Sequence, residues 1–207
     1  MTDPLPSAIA SLATPAIAVG HRVITPGDER ALMPEEAGAF VRSVEKVRRA
    51  SGAARIVARG LLVGLGHPGW ALPKSTSGAP VWPVGIVGSL SHDDDIAVAA
   101  VAQSRDVAAL GIDVEPAEAL PPELDDIVVT PRERLRLADD PCAGRLIFAA
   151  KEAVYKAVYP LDRTFLEHHD VEVDVAGCRA VVGNGRRLTL RFCLSTHLVV
   201  LAFIAQP

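Results

Sequence analysis

Aromatic residues are scarce in this 207-residue chain, at 4%, so its core must be built from Ala, Val and Leu. With 49% hydrophobic residues and a mean hydropathy of +0.26, there is enough apolar material to bury one. Cysteine is also sparse: Cys142, Cys178 and Cys193 are three in number, and none has CxxC spacing. The odd count and wide gaps argue against a disulfide framework and a zinc site, and make reduced cytoplasmic thiols the default. There is no basic excess. Against 25 Asp and Glu stand 21 Lys and Arg, for a net charge of −4, which gives no electrostatic case for nucleic acid or an anionic membrane surface. No uninterrupted apolar run approaches the ~20 residues of a membrane span. The apolar stretch 7–19 does not read as a leader, because Asp3 but no Lys or Arg precedes it and prolines at 4, 6 and 15 break it. A P-loop, a Gly-rich dinucleotide fingerprint and GxSxG are all missing, so chemistry of a common kinase or Rossmann type is excluded. A soluble cytoplasmic protein is expected, of one domain or two small ones.

What is present reads as helix followed by strands, twice. A short strand is predicted at 16–19. Pro34, with Glu35 and Glu36 behind it, suits a helix start running to about Arg49. Ser51-Gly52 should break it, and a second helix should run over 53–63. Residues 64–83 are rich in Gly and Pro and read as a long loop holding Lys74, of the kind that is often functional. Strands follow at 86–90, 96–102 and 108–115, with a polar turn at 91–95. Thr130-Pro-Arg-Glu133 is a capping-box helix start, and that helix should end near Asp139. Asp140-Pro141 should start another helix, which Pro160 should stop. Four strands follow, at 171–175, 179–182, 188–194 and 198–204, with Gly183-Asn-Gly185 as a hairpin turn. The prediction is an α+β fold of two pseudo-duplicated halves, 1–105 and 106–207, in one compact unit. Each half is a helix plus a small, mainly antiparallel sheet, with an active-site cleft between them. Strands and helices do not alternate strictly, which argues against a doubly wound sheet.

Three stretches carry chemistry, and each has a plainer reading alone. Phe148-Ala-Ala-Lys-Glu-Ala-Val-Tyr-Lys156 is an amphipathic helix, with Ile147, Ala150, Val154 and Ala157 on one face. Glu152 and Lys156 could simply be a surface ion pair stabilising that helix by about 0.3–0.5 kcal/mol. In Gly111-Ile-Asp-Val-Glu-Pro116, Asp113 and Glu115 sit two apart on a strand and share a face. They could be a solvated rim, but like charges side by side are costly without a cation. Hard oxygen ligands without His or Cys favour Mg²⁺. In Gly88-Ser-Leu-Ser-His92, the histidine could be an idle turn residue, or it could donate to a phosphate with help from turn amides. The acidic run Asp93-Asp-Asp95 would have to point away. The basic residues at 42, 46, 48, 49, 55 and 59 could be solvated faces, or could converge on phosphate if the two helices fold back on each other. Together these make an inventory for Mg²⁺-assisted phosphoryl-group chemistry.

With Trp82-Pro83 ahead of them, these three stretches resemble, in order, the motifs of the 4′-phosphopantetheinyl transferases, in the long type that includes the surfactin and enterobactin synthetase activators. The 39 residues from Asp113 to Glu152 suit that type, and the resemblance covers roughly residues 30–160. It implies transfer of 4′-phosphopantetheine from coenzyme A to a serine of an acyl or peptidyl carrier protein, with release of adenosine 3′,5′-bisphosphate. By motif match, Asp113, Glu115 and Glu152 would hold Mg²⁺, or Mn²⁺ in its place. Arg48, Arg55, Lys74, Ser91, His92, Lys151 and Lys156 would contact coenzyme A, with Arg55 and Lys74 at its 3′-phosphate end and Lys151 and Lys156 at the pyrophosphate. Lys156 could assist the leaving group. Glu152, or a metal-bound water, would deprotonate the carrier serine. A monomer is implied.

The sequence departs from the pattern in places. Where the family often has Phe-x-x-Gly-Arg, this chain has Ser51-Gly-Ala-Ala-Arg55, without the aromatic. Ala79 stands where some relatives place a lysine. Segment 124–137, with Arg132, Arg134 and Arg136, is the candidate surface for an acidic carrier helix, whether of fatty-acid, polyketide or nonribosomal-peptide (including siderophore) assembly. Two other readings stay open: a non-catalytic coenzyme A- or carrier-binding module of the same fold, and a Mg²⁺-dependent phosphohydrolase.

Overall fold

The computed structural model describes residues 4–137 and 139–206, so Asp3 of the leader argument lies outside it. Strands β1 (Ile17–Val23), β2 (Ile86–His92) and β3 (Ile96–Gln103) form a three-stranded antiparallel sheet in the order β1-β3-β2. Strands β4 (Val107–Pro116), β5 (Val171–Asp174), β6 (Arg179–Val182), β7 (Arg187–Leu194) and β8 (His197–Ala205) form a five-stranded antiparallel sheet in the order β4-β8-β7-β6-β5. The helices are α1 (Leu5–Ala10), α2 (Pro34–Ala37), α3 (Glu45–Gly64), α4 (Pro122–Val128), α5 (Pro131–Arg134) and α6 (Ala143–Asp162). The sheets stack face to face. Helices α3 and α6, each 20 residues long, cover their outer faces. This is the expected α+β architecture.

Strand alternation explains the layers. In β3, Ile96, Val98, Ala100 and Ala102 meet Leu110, Ile112 and Val114 of β4 and Val199 and Leu201 of β8 between the sheets. Its other face, Ala97, Ala99 and Val101, packs under Ala53, Ala54, Val57 and Ala58 of α3. Burial on both faces is why β3 reads as an unbroken apolar run. Helix α1 closes one edge of the inter-sheet layer with Ile9, beside Leu12 and Cys193. There the Arg191 guanidinium donates to the Ser11 carbonyl at 2.8 Å.

The alternate face of β4 carries Ala109, Gly111, Asp113 and Glu115 toward α6. A Cβ on Gly111 would lie 1.9 Å from the Ala153 carbonyl oxygen, so only glycine lets the helix backbone sit this close to the strand. That seat sets the height of α6 above the two carboxylates.

Helix boundaries differ from expectation for the same kind of reason. Ser51-Gly52 does not break a helix, since α3 runs through it and both residues are buried. A Cβ on Gly52 would lie 2.0 Å from the Asp28 carbonyl, so this glycine admits the 3₁₀ turn Asp28–Ala31 against the helix. The chain instead leaves helical structure at 41–44, dividing the expected 34–49 helix. The basic residues therefore do not fall on two helices folded back on each other. Pro160 lies inside α6, which ends at Arg163 with a left-handed φ of 58°. The Thr130–Glu133 capping box forms as read, but its helix is a single turn. The hairpin at 183–185 joins β6 to β7.

Replacing Gly111 by Ala should destabilise the protein by about 1–3 kcal/mol, because a backbone carbonyl cannot yield as a side chain can. Urea denaturation measures this, and an unchanged midpoint would contradict the described helix seat.

Candidate active site

Asp113 is 4% exposed and lies where β2, β4 and α6 meet. Its Oδ1 accepts from Lys156 Nζ at 2.6 Å and from Ser91 Oγ at 2.8 Å. Lys156 Nζ also donates to Ser91 Oγ at 2.9 Å. The plainer reading of Glu152 and Lys156 as a surface ion pair does not describe Lys156, which turns inward and binds a strand carboxylate. Asp113 Oδ2 is buried without a hydrogen-bond partner. Glu115 follows on the same face, with its Oε2 accepting from Arg145 Nη1 at 3.0 Å. Burial first, and then the Asp113 charge, pushes the Glu115 carboxyl above the usual carboxylate range, against the pull of Arg145. Glu152 is pushed up by the same two causes in the same order, opposed by Lys156.

The Asp113 charge raises both Glu115 and Glu152, two cations stand among the three carboxyls, and one buried oxygen is bare, a set that fits a hard divalent cation. Among the described residues no three His, Cys, Asp or Glu side chains form a ready-made metal shell. Mg²⁺ does not require one, since it usually keeps several waters and takes substrate phosphate oxygens beside one or two carboxylates.

Arg55, Lys74, Ser91, His92 and Lys156 line one cleft of about 280 Å³ beside these carboxyls. Arg55 is 3% exposed and is fixed by donation to the Leu72 carbonyl at 3.0 Å and the Ser51 carbonyl at 3.1 Å. Its guanidinium carbon sits 4.9 Å from the Phe40 ring centroid, and Lys74 Nζ sits 4.4 Å from the same ring. Phe40 therefore supplies, from the turn before α3, an aromatic beside Arg55 that the Ser51–Arg55 segment lacks. Burial, then Arg55, lowers the Lys74 pKa, and burial, then Lys156, lowers that of His92. The His92 side chain still reaches solvent, and the lowered pKa favours its neutral form. Cations that disfavour each other's charge make a cleft suited to an anion.

Sequence reasoning missed two residues here. Glu36 looks like an ordinary helix-start acid, yet it is fully buried. It accepts from Met33 N at 2.8 Å, Leu72 N at 2.7 Å and Arg59 Nη1 at 2.8 Å, and lies 3.8 Å from Arg55 Nε. It anchors both Arg55 and the start of the loop bearing Lys74. Arg145 stands outside the motif strings, and only its place seven residues before Glu152 on one helix could have marked it.

Two expected coenzyme A contacts lie elsewhere. Lys151 is 1% exposed, with its Nζ donating to the Val128 carbonyl at 2.7 Å and Glu133 Oε2 at 2.8 Å. It tethers α6 to the α4–α5 segment and does not line the cleft, because its direction on α6 differs from that of Glu152 and Lys156. Arg48 turns back to the Ser43 carbonyl and does not line the cleft. Asp93 is held within its own turn but is not turned clear of the site, since its charge still acts on His92 and Glu115. Its Oδ1 accepts from Asp95 N and Ile96 N, both at 2.8 Å, and its Oδ2 lies 3.1 Å from His197 Nε2. Asp94 pairs with Lys46 at 2.7 Å.

A wider groove of about 420 Å³ continues from the cation cleft, sharing Gly78, Pro80, Leu90 and Lys156 with it. Trp82, Tyr155 and Tyr159 stand in its walls. Gly88 leaves room for the Trp82 indole, which a Cβ there would approach to 2.7 Å. A separate, mostly apolar cavity between the start of α6 and strands β5 and β7 is lined by Arg136 and Leu137 of the expected carrier-docking segment and by none of the expected metal or coenzyme A residues.

Known proteins resemble this chain in sequence. A family profile described as the 4′-phosphopantetheinyl transferase N-terminal domain matches residues 35–102, and one described as the 4′-phosphopantetheinyl transferase superfamily matches residues 109–197. The 4′-phosphopantetheinyl transferase Npt of Nocardia iowensis is 42% identical over 157 residues, covering 73% of this chain and 71% of that protein. The chain belongs to the 4′-phosphopantetheinyl transferase superfamily. Svp of Streptomyces mobaraensis, also a phosphopantetheinyl transferase by name, is 41% identical over 70% of this chain and 61% of its own. PptT of Mycobacterium tuberculosis is 38% identical over 68% and 64%, so the match spans less than two thirds of these last two relatives. The superfamily profile includes Asp113, Glu115, Glu152 and Lys156 in its matched span, and the N-terminal profile includes Arg55, Lys74, Ser91 and His92.

Two outcomes test the geometry of this family member. Lys151→Ala should destabilise the fold by about 3–5 kcal/mol, because it leaves Glu133 buried and uncompensated, while coenzyme A affinity of the folded fraction stays unchanged. Thermal denaturation and calorimetry separate the two effects. Glu152→Gln should stabilise the metal-free protein at pH 7. A carboxyl whose folded pKa is raised opposes folding above that pKa, and regains stability as pH falls through it. The advantage of Gln over Glu should therefore shrink on acidification, and an advantage that grows would refute the assigned environment.

Proposed function

We propose that this protein transfers the 4′-phosphopantetheine group of coenzyme A to a serine hydroxyl of an acyl or peptidyl carrier protein, releasing adenosine 3′,5′-bisphosphate. The observation that supports it most is Asp113, whose buried carboxylate is tied to Lys156 and Ser91 by one oxygen and bare on the other, next to a cation-lined cleft. Coenzyme A has a polyanionic nucleotide end and a neutral arm, and the cleft and its aromatic extension divide in the same way. Arg55 and Lys74 take the 3′-phosphate end, while Ser91 and His92 donate to pyrophosphate oxygens. The neutral arm follows the groove past Trp82 and Tyr155.

Asp113, Glu115 and Glu152 hold Mg²⁺, or Mn²⁺ in its place, and the ion when bound offsets pyrophosphate charge. Glu152 stands on the helix face beside Lys156 and would accept the serine proton. The serine oxygen forms a bond to the pantetheine-bearing phosphorus as that phosphorus loses its bond to the bisphosphate oxygen. Lys156 neutralises charge on the departing oxygen. The carrier docks near 124–137. There Arg134 is already paired with Asp125 and Asp126, so the exposed Arg132 and Arg136 are the cations offered to an acidic helix. The protein acts as a monomer in the cytoplasm. Among the described residues no helix is long and apolar enough to cross a membrane.

Intact-mass measurement of an apo carrier after incubation with the protein, coenzyme A and Mg²⁺ tests the reading. A gain of one phosphopantetheine, lost with EDTA, is expected. Asp113→Ala and Glu152→Ala should each slow it by about 100-fold or more while leaving the fold intact. Coenzyme A binding without any gain, across several carriers, would favour the binding-module reading. Release of phosphopantetheine from coenzyme A without a carrier would favour the phosphohydrolase.

A further inference from the structure

We propose that Arg145 is a positioning residue that orients Glu115 for the divalent cation, an inference that rests on the metal reading above. Its guanidinium makes a two-point clamp. Nη1 donates to Glu115 Oε2 at 3.0 Å, and Nη2 donates to the Ala119 carbonyl at 3.0 Å. Side-chain exposures of 14% and 21% make the pair half-buried, so solvent competes for it only weakly. The clamp joins three elements: the end of β4, the segment that follows it, and the first turn of α6. A planar fork anchored at one end on a backbone carbonyl has little freedom at the other, so it sets the plane of the Glu115 carboxylate.

The same pattern recurs at Asp113. There one oxygen is tied by Lys156 and the other is buried and bare. At Glu115 one oxygen is tied by Arg145, and Oε1 makes no hydrogen bond among the described residues. Each carboxylate thus has one oxygen held by a basic residue of α6 and one left for a cation. The two residues share a strand face, and Arg145, Glu152 and Lys156 follow at seven- and four-residue spacing along one face of the helix above. Helix α6 therefore carries a third carboxylate and a restraint for each of the other two. Hydrogen-bond partners of metal-binding side chains commonly govern affinity by 10- to 100-fold.

The test is Mn²⁺ binding to the full chain, read by electron paramagnetic resonance without coenzyme A or carrier. Arg145→Gln should raise the Mn²⁺ dissociation constant by about tenfold or more. In turnover the loss should appear in the metal concentration for half-maximal rate, with the rate at saturating Mn²⁺ close to that of the parent. Arg145→Lys, which keeps the charge and one donor, should recover part of the affinity. Thermal denaturation identifies any variant that fails to fold, and the Lys variant then carries the comparison. Mn²⁺ affinity in Arg145→Gln equal to or tighter than the parent's would overturn the proposal, whatever its melting temperature. If Glu115→Ala is weakened in that same experiment, the metal reading survives. No Mn²⁺ binding by the parent, with or without coenzyme A, would remove the metal reading and this proposal together.

Discussion

The closeness of α6 to β4 is the constraint on which the site depends. Gly111 removes the side chain that would hold the helix away, and Ala153 presents only backbone and a methyl group. Everything chemical follows from that distance. Lys156 reaches Asp113 only because the helix is low, and Glu152 feels the Asp113 charge for the same reason. A chain poor in aromatics suits this design, since Ala-rich surfaces allow two backbones to approach where large side chains would separate them.

The second half of the site is set from a distance by Glu36. One buried carboxylate receives two backbone amides and an arginine, and stands beside a second arginine in the cleft wall. A buried anion surrounded in this way is costly to disturb. Together with the Leu72 and Ser51 carbonyls, it fixes Arg55 through protein contacts alone. The cation cleft is held together by its own protein contacts, whereas the carboxylate cluster sets three acids against the two cations Arg145 and Lys156.

Much of this was legible in the sequence. The apolar runs marked the central strands, Thr130 and Glu133 marked a cap, and Asp113 and Glu115 were placed on one strand face by period alone. What the sequence hid was proximity. Gly52 reads as a breaker, because local propensity cannot show that a turn from 24 residues earlier needs its missing Cβ. Lys151 and Lys156 belong to one motif and look equivalent, yet helical direction sends one to Glu133 and the other to Asp113. Glu36 looks solvated because nothing local announces Arg59 or Leu72. Phe40 lies outside the string in which an aromatic was sought, and reaches Arg55 through the tertiary fold.

The seal made by α1 bears on how the molecule comes into being. Ile9 and Leu12 close a layer whose other members include Cys193, Val199 and Leu201, and Ser11 is tied to Arg191. The Ser11–Arg191 contact joins residues 180 apart in sequence. Closing a loop of that length costs chain entropy before any contact repays it, so this seal is a non-local step that slows folding.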